Sequence, residues 1–304
     1  MGTPDIAATC LTRLCDSGFA PVGVYTKPDM PKNRGLKLAM SEVKEVALAR
    51  GLPVFQPTGF KDDAVVEALR ALAPDVIAVV AYGKLLPQRV LDIPRLGCIN
   101  IHASILPQLR GAGPVQWAIL RGLTETGVTG MYMDAGMDTG DIIALRRTPI
   151  DPDENAQALL ERLAALGAEL LVELMARLAR GEVLPRTPQE HSAATMAPML
   201  TKALCPIAWE KSASEIYNQI RGLDPWPVAT TALEGKRFKI YRARKTDKRS
   251  AQAPGTVLGV TKTGLEVVCG DGAVLELTQL QAEGGKRMAA PDYFRGHPLR
   301  GHGT

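Results

Sequence analysis

The chain of 304 residues has no long apolar run. Its longest, Val76 to Ala81, falls far short of the roughly 20 residues that span a bilayer. No basic-then-apolar stretch of the kind that directs secretion opens the sequence. The cysteines (Cys10, Cys15, Cys98, Cys205 and Cys269) are odd in number and contain no C-x-x-C pair. That argues against a disulfide framework or a structural zinc site, and for reduced thiols in a cytoplasmic protein. A P-loop is absent, Gly111-Ala112-Gly113 is too short for a dinucleotide fingerprint, and no G-x-S-x-G elbow surrounds Ser104. Nothing therefore points to ATP, NAD, a metal or a serine nucleophile. Repeats and low-complexity tracts are also missing.

What is present is an ordinary globular composition, 46% apolar and 22% charged, long enough for two domains. The net charge of +4 is unevenly placed. From Cys205 onward there are 15 Lys/Arg against 10 Asp/Glu, and Lys236 to Arg249 holds eight basic residues and one acid. Such a run fits a polyanion partner such as nucleic acid, and it fits a solvated basic hairpin equally well.

The first half alternates helix and strand. Helices are expected from Asp5 to Cys15, Ser41 to Arg50 and Asp62 to Ala73, with strands at Val22 to Thr26, Leu52 to Phe55, Asp75 to Val80 and Cys98 to Ile101. Asp75 to Val80 is apolar without alternation, as in a parallel strand covered on both faces. This pattern predicts an α/β fold with a doubly wound parallel sheet. Such a sheet normally begins with a buried strand, yet a turn, Met1 to Asp5, comes first; the sequence reads as starting a few residues late. A long helix is expected from Asp151 to about Arg180, then a surface linker rich in Pro, Thr, Ser and Ala. The last hundred residues switch to a short helix, Ser212 to Arg221, and five short strands with Gly turns, which predict a small β-barrel. The expected boundaries are 1–183, a linker at 184–203, and 204–304.

The chemistry concentrates at Asn100-Ile101-His102. Residues two apart on a strand share a face, so Asn100 and His102 aim a carboxamide and an imidazole at one point where the strand runs out. Together they can hold and polarise one carbonyl oxygen. A carboxylate comes from the Gly-punctuated loop Asp134 to Asp141, where Asp138 can orient His102 or take a proton through water. Either feature alone is weak: a lone His at a strand end is more often structural, and an Asp in a Gly-rich loop is usually a turn residue. N-x-H-x-S-x-L-P combined with D-x-G-x-D-T-G is much more specific, and it describes acyl transfer without a covalent intermediate.

Asn100 to Pro107 (N-I-H-A-S-I-L-P), Arg110 to Pro114 (R-G-A-G-P), Thr124 to Thr129 and the Asp134 to Gly140 loop resemble the folate-dependent formyltransferases. Met1 to Asp5, the Lys32 to Leu38 loop and Asn218 to Pro227 (N-Q-I-R-G-L-D-P-W-P) are similar to the branch acting on methionyl-tRNA. The likeness covers nearly the whole chain. It implies a Rossmann-like catalytic domain and an OB-like C-terminal barrel. It also implies transfer of formyl from 10-formyltetrahydrofolate to the methionyl amino group of initiator Met-tRNA, by a monomer. By residue match, Asn100, His102 and Asp138 would carry the chemistry; Ser104, Ile105, Leu106 and Pro107 would bind folate, with Tyr82 and Gly83 near the pterin. Lys32, Arg34 and Lys37, in a loop broken by Pro28, Pro31 and Gly35, would meet the tRNA acceptor end. Lys236, Arg237, Lys239 and Arg242 would add a contact by charge. The sequence departs from the pattern in the missing first strand, in a single Lys after Arg34-Gly35, and in Met199 where a Lys is common. An amino-sugar nucleotide as acceptor, or a non-catalytic RNA-binding protein on the same scaffold, are the competing readings.

Overall fold

The computed structural model describes residues 1–32 and 37–299, which divide between two compact units. The first comprises residues 1–114, 125–149 and 160–198; the second comprises 115–124, 150–159 and the chain from Met199.

In the first unit, α1 (Asp5–Asp16) buries Ile6, Cys10, Leu11 and Leu14. Gly18 ends it at a φ of +85°, a conformation glycine adopts without steric cost. Strand β1 (Val24–Tyr25) leads through β2 (Met30–Lys32) and β3 (Lys37–Ala39) to α2 (Glu42–Ala49). The Ser41 hydroxyl caps α2 by accepting from the Lys44 amide at 3.1 Å. Next come β4 (Val54–Phe55), α3 (Asp63–Ala71), capped by Asp62, and β5 (Ile77–Val79). Then follow α4 (Gln88–Leu91), β6 (Cys98–His102), β7 (Glu125–Tyr132), β8 (Ile142–Pro149) and most of α6 (Ala156–Ala179), whereas α5 (Pro114–Leu120) beyond its first residue and the first turn of α6 belong to the second unit. The ends of β2 and β3 pair as an antiparallel ribbon with Lys32 opposite Lys37, where an irregular loop was expected.

The expected all-parallel sheet is instead a two-stranded parallel pair, β1–β4, and a separate mixed sheet in the order β5-β6-β7-β8. β1 and β4 are parallel, as are β5 and β6, but β7 runs antiparallel to both β6 and β8. The loop between β7 and β8 has nine residues and no helix, too short for the crossover that parallel neighbours need. Met1 and Gly2 lie where a strand between β1 and β5 would run. The Gly2 amide donates to the Tyr25 carbonyl at 2.9 Å, and the Val80 amide to the Met1 carbonyl at 2.9 Å. Beside them is an apolar cavity of about 360 Å³ lined by Leu11, Leu14, Val24, Leu69 and Leu72 among others; Asn100, His102 and Asp138 do not line it.

Helix α6 lies closely on β6 and β7. A Cβ at Gly167 would sit 2.9 Å from Ile101 Cγ2, and one at Gly130 would sit 2.8 Å from Leu174 Cδ1. Glycine in mid-helix costs about 1 kcal/mol in propensity. Here it lets the helix backbone approach the strand that carries Asn100 and His102. Residues 184–198, expected to run over the surface, are packed into this unit, with Leu184, Gln189 and Ala197 buried. Thr187 bridges Ile142, and Met196 bridges Arg110.

The second unit contains α7 (Ala213–Gly222), β9 (Ala229–Leu233), β10 (Lys236–Arg249), β11 (Val257–Val260), β12 (Leu265–Val268), β13 (Ala273–Ala282), β14 (Met288–Ala289) and α8 (Ala290–Gly296). Ser212 and Glu215 form a reciprocal capping box on α7. The six strands make one antiparallel sheet in the order β11-β12-β13-β10-β9, with β14 beside β13. The expected barrel is not closed by any pairing among the described residues: β9 and β11 end the path unjoined. Ile216 and Ile220 from α7 and Ala290 and Phe294 from α8 join the same core as Phe238, Ile240, Leu275 and Leu277. Helices thus bury the apolar sheet residues that closure would otherwise hide.

Because Leu174 is fully buried at the α6 contact with Gly130, Leu174→Ala should cost about 2–5 kcal/mol of stability in urea unfolding. A change well under 1 kcal/mol would show that this helix contact does not carry the packing assigned to it.

Candidate active site

Every residue of β6 is buried, and its register places Asn100 beside Val79 of β5 and Met131 of β7, with His102 beside Thr129. The two side chains share a face, as the alternation requires. The Asn100 carboxamide makes no hydrogen bond among the described residues, although the residue is only 8% exposed. Its amide atoms are not among the buried polar atoms left unpaired, so they reach solvent, where water satisfies them until a ligand does. It is therefore a donor and an acceptor available to a ligand.

His102 is differently placed. Its Nε2 lies 2.9 Å from the Leu109 carbonyl. A carbonyl can only accept, so Nε2 carries the proton. Nδ1 faces Asp138 Oδ2 at 3.7 Å, beyond direct hydrogen bonding and at the spacing a bridging water or a small closure would complete. A substrate carbonyl seeking a proton from His102 must compete with Leu109 at Nε2 or meet a proton on Nδ1.

Asp138 reaches His102 across 36 residues of sequence because the β7–β8 loop folds back. Asp134 Oδ1 accepts from the Gly136 amide at 2.9 Å and the Thr139 hydroxyl at 2.6 Å, closing the turn. Gly140 is held so close that a Cβ would lie 1.8 Å from the Tyr132 carbonyl oxygen. Asp138 itself has a φ of +55°, an uncommon backbone for a non-glycine residue. Its Oδ2 accepts from the Gly111 amide at 2.8 Å.

The remaining expected residues separate into groups. Ser104 is buried and donates its hydroxyl to the Gln108 carbonyl at 2.6 Å, while its own carbonyl accepts from Thr129 Oγ1 at 2.7 Å. Leu106 is also buried, and its amide donates to Thr129 Oγ1 at 3.1 Å. These two side chains shape the segment, whereas Ile105 and Pro107 stay partly exposed. The Tyr82 ring packs in the core, 6.3 Å from the Phe60 ring, and burial pushes its hydroxyl pKa up to about 12. Gly83, exposed and with a φ of +70°, follows β5 on the edge where parallel β6 ends in His102. Ligands of α/β sheets bind beyond this edge. Lys32 and Lys37 are strand residues; Arg34 lies outside the described residues. Lys236, Arg237, Lys239 and Arg242 are exposed on β10, while Arg244 and Lys248 of the same strand pair with Glu276 and Glu266.

Gln189 is a member of this neighbourhood that pattern reading missed. It is buried and donates Nε2 to the Asp138 carbonyl at 2.9 Å and the Gly140 carbonyl at 2.7 Å. It stands in a polar stretch whose composition resembles an exposed linker, so no local signal marked it.

Residues 1–175 match the family model described as formyl transferase, and residues 199–298 match the formyl transferase C-terminal domain. A methionyl-tRNA formyltransferase of Trichlorobacter lovleyi is 47% identical over 98% of this chain and 93% of its own length. One from Pelobacter propionicus is 48% identical over 98% and 92%, and one from Clostridioides difficile 42% over 98% and 96%. Among solved structures, an N-formyltransferase of Helicobacter canadensis, in complex with folinic acid and dTDP-3-aminofucose, shares the fold. Its TM-score is 0.67 at 19% identity, covering 91% of this chain and 96% of that one. HypX of Aquifex aeolicus, in complex with tetrahydrofolic acid, aligns at a TM-score of 0.61 and 23% identity over 86% of this chain and 44% of that one. With both halves of the chain matched and full-length relatives near half identical, the chain belongs to the methionyl-tRNA formyltransferase family.

Proposed function

We propose that Asn100, His102 and Asp138 carry out the family reaction in this chain: formyl passes from 10-formyltetrahydrofolate to the amino group of methionine on Met-tRNA for translation initiation. The observation that carries this assignment is an unpartnered, solvent-reachable carboxamide on the same strand face as an imidazole backed by a carboxylate. The methionyl nitrogen attacks the formyl carbon, and the carbonyl oxygen becomes an oxyanion. Asn100 donates to that oxygen, a role worth about 10²–10³ in kcat at comparable sites. The tetrahedral intermediate collapses by breaking the bond to the folate nitrogen. The proton released by the amine must reach that nitrogen. With Nε2–H committed to Leu109, the His102 Nδ1 lone pair is the proton acceptor within the set, and the Asp138 carboxylate stabilises the cation formed there. Ile105, Pro107 and the backbone of Ser104 and Leu106 line the folate side, with Gly83 allowing close approach; the buried Tyr82 ring supports that edge from below.

We assign 1–183 to catalysis and 204–304 to tRNA binding; 184–203 connects them, its part up to residue 198 packed into the catalytic unit. An OB-like curl of the C-terminal sheet, supported by three register shifts along β10, would present Lys236, Arg237, Lys239 and Arg242 to phosphates. Lys32, Arg34 and Lys37 would meet the acceptor end of the initiator tRNA. The chemistry needs one copy of the chain, since the three residues come from one unit; a cytoplasmic monomer is therefore sufficient. Full-length identity to tRNA enzymes favours Met-tRNA over an amino-sugar nucleotide.

In a formylation assay with 10-formyltetrahydrofolate and Met-tRNA, His102→Ala and Asp138→Asn should each lower kcat by about 10²-fold or more. Full activity in both would remove them from the mechanism. Gly140→Ala should displace the Asp138 loop by its clash with Tyr132 and lower kcat by about 10²-fold, with β7 and β8 still formed in hydrogen exchange; wild-type kcat would show the loop to be tolerant of displacement. Replacing Lys236, Arg237, Lys239 and Arg242 by Ala should weaken tRNA binding and reduce its log–log salt slope by about one for each phosphate no longer neutralised. An unchanged slope would identify the run as a solvated hairpin.

A further inference from the structure

Three consecutive residues, Leu109 to Gly111, touch the site in three ways. The Leu109 carbonyl accepts from His102, the Gly111 amide donates to the Asp138 carboxylate, and the Arg110 side chain turns away to Gln189. Arg110 is buried and donates to Gln189 Oε1 from Nε at 3.2 Å and from Nη2 at 2.7 Å. At its other end the same carboxamide donates to the carbonyls of Asp138 and Gly140. Together these bonds close a ring that runs from the Asp138 carbonyl through Gln189 and Arg110 to Gly111, and back to the Asp138 carboxylate.

We propose that Gln189 is a positioning residue for the reaction, holding Asp138 at the geometry in which it serves His102. The inference rests on the assignment of Asp138 to the chemistry. Asp138 occupies a left-handed backbone conformation that a non-glycine residue holds only when its surroundings enforce it. Two bonds do so here, one on its carboxylate from Gly111 and one on its carbonyl from Gln189. Only a carboxamide can serve both sides of the ring, because Arg110 offers donors alone and the two loop carbonyls accept alone. A carboxylate at 189 would keep Arg110 and forfeit both carbonyls. The segment bearing Gln189 cannot drift, since Thr187 bridges Ile142 and the Arg110 backbone is tied to Thr195 at 2.8 Å and Ala197 at 2.7 Å.

The test uses the full chain and steady-state formylation of Met-tRNA, with variants at Gln189 alone and combined with Asp138→Asn. Gln189→Leu should lower kcat by about 10- to 100-fold, while KM for tRNA and for formyl-folate changes by less than about threefold, because no substrate-binding group is removed. Gln189→Glu should be as impaired as Gln189→Leu, since it retains only the bond to Arg110. In the Asp138→Asn background, either substitution should add less than about twofold, because the group it positions is already gone. Rescue by Gln189→Glu, or effects that multiply with Asp138→Asn, would overturn the proposal and leave Gln189 as packing for Arg110. If the variants at 189 do not fold, Arg110→Met opens the ring from the other side and must give the same non-multiplying effect with Asp138→Asn. Should Asp138→Asn alone be fully active, the assignment of Asp138 fails, an outcome distinct from multiplying effects.

Discussion

The Gly111 amide bonded to the Asp138 carboxylate is the interaction on which the arrangement of this site depends. Asp138 lies in a loop whose flanking strands fix its ends but not its middle, and its backbone sits in a region that most residues avoid. The 2.8 Å bond to Gly111 brings the carboxylate to the strand end occupied by His102. Gly111 donates from a glycine-favouring backbone conformation, with φ at +114° and no room for a Cβ beside the Ala197 carbonyl. The R-G-A-G segment, the D-T-G loop and the chain around Ala197 are thus one construction. None of the three would hold its geometry with either neighbour removed.

The grouping of Asn100, His102 and Asp138 was legible in the sequence for a simple reason. Strand alternation and loop punctuation are local properties, and Asn100, His102 and Asp138 each stand at a place that local properties define. What joins them is not local. The direction of β7 could not be read from its apolar content, because a buried strand looks the same in either direction; the short connection to β8 was the informative quantity. Residues 184–198 were hidden by composition, since Gln, Thr and Ser are common in exposed linkers and are equally suited to a buried hydrogen-bond network. In the fourteen-residue β10 the charged half beyond Arg242 carries no strand signal of its own, although it pairs with β13. Barrel closure was inferred from strand count and turn spacing, which do not reveal that α7 and α8 cover the sheet instead.

The two units divide the specificity problem by type of interaction. The first holds Asn100, His102 and Asp138, to which the formyl chemistry is assigned above, and says little about what carries the amine. The second is a sheet with a helix-covered apolar core and exposed cations on β10. Cations in that setting would bind phosphate as charge rather than reading bases. A small acceptor such as a sugar nucleotide would need no such stripe, whereas an acceptor with an extended phosphate backbone gains from every residue of it.

The state of His102 connects the fold to the direction of proton flow. If Nε2 were free, the imidazole could donate to the formyl oxygen, and Asn100 beside it would duplicate that role. The Leu109 carbonyl removes this possibility by engaging Nε2–H. In the proposed reaction this leaves Asn100 as the oxyanion donor and Nδ1, which faces Asp138, as the base. A proton collected on Nδ1 enters the field of a carboxylate held in place by Gly111, and that carboxylate favours the cation without having to take the proton itself. Transfer onward to the folate nitrogen then needs only the reverse step. This division between carboxamide and imidazole follows from a backbone carbonyl one residue before Arg110, so the segment that anchors Asp138 also decides what His102 can do.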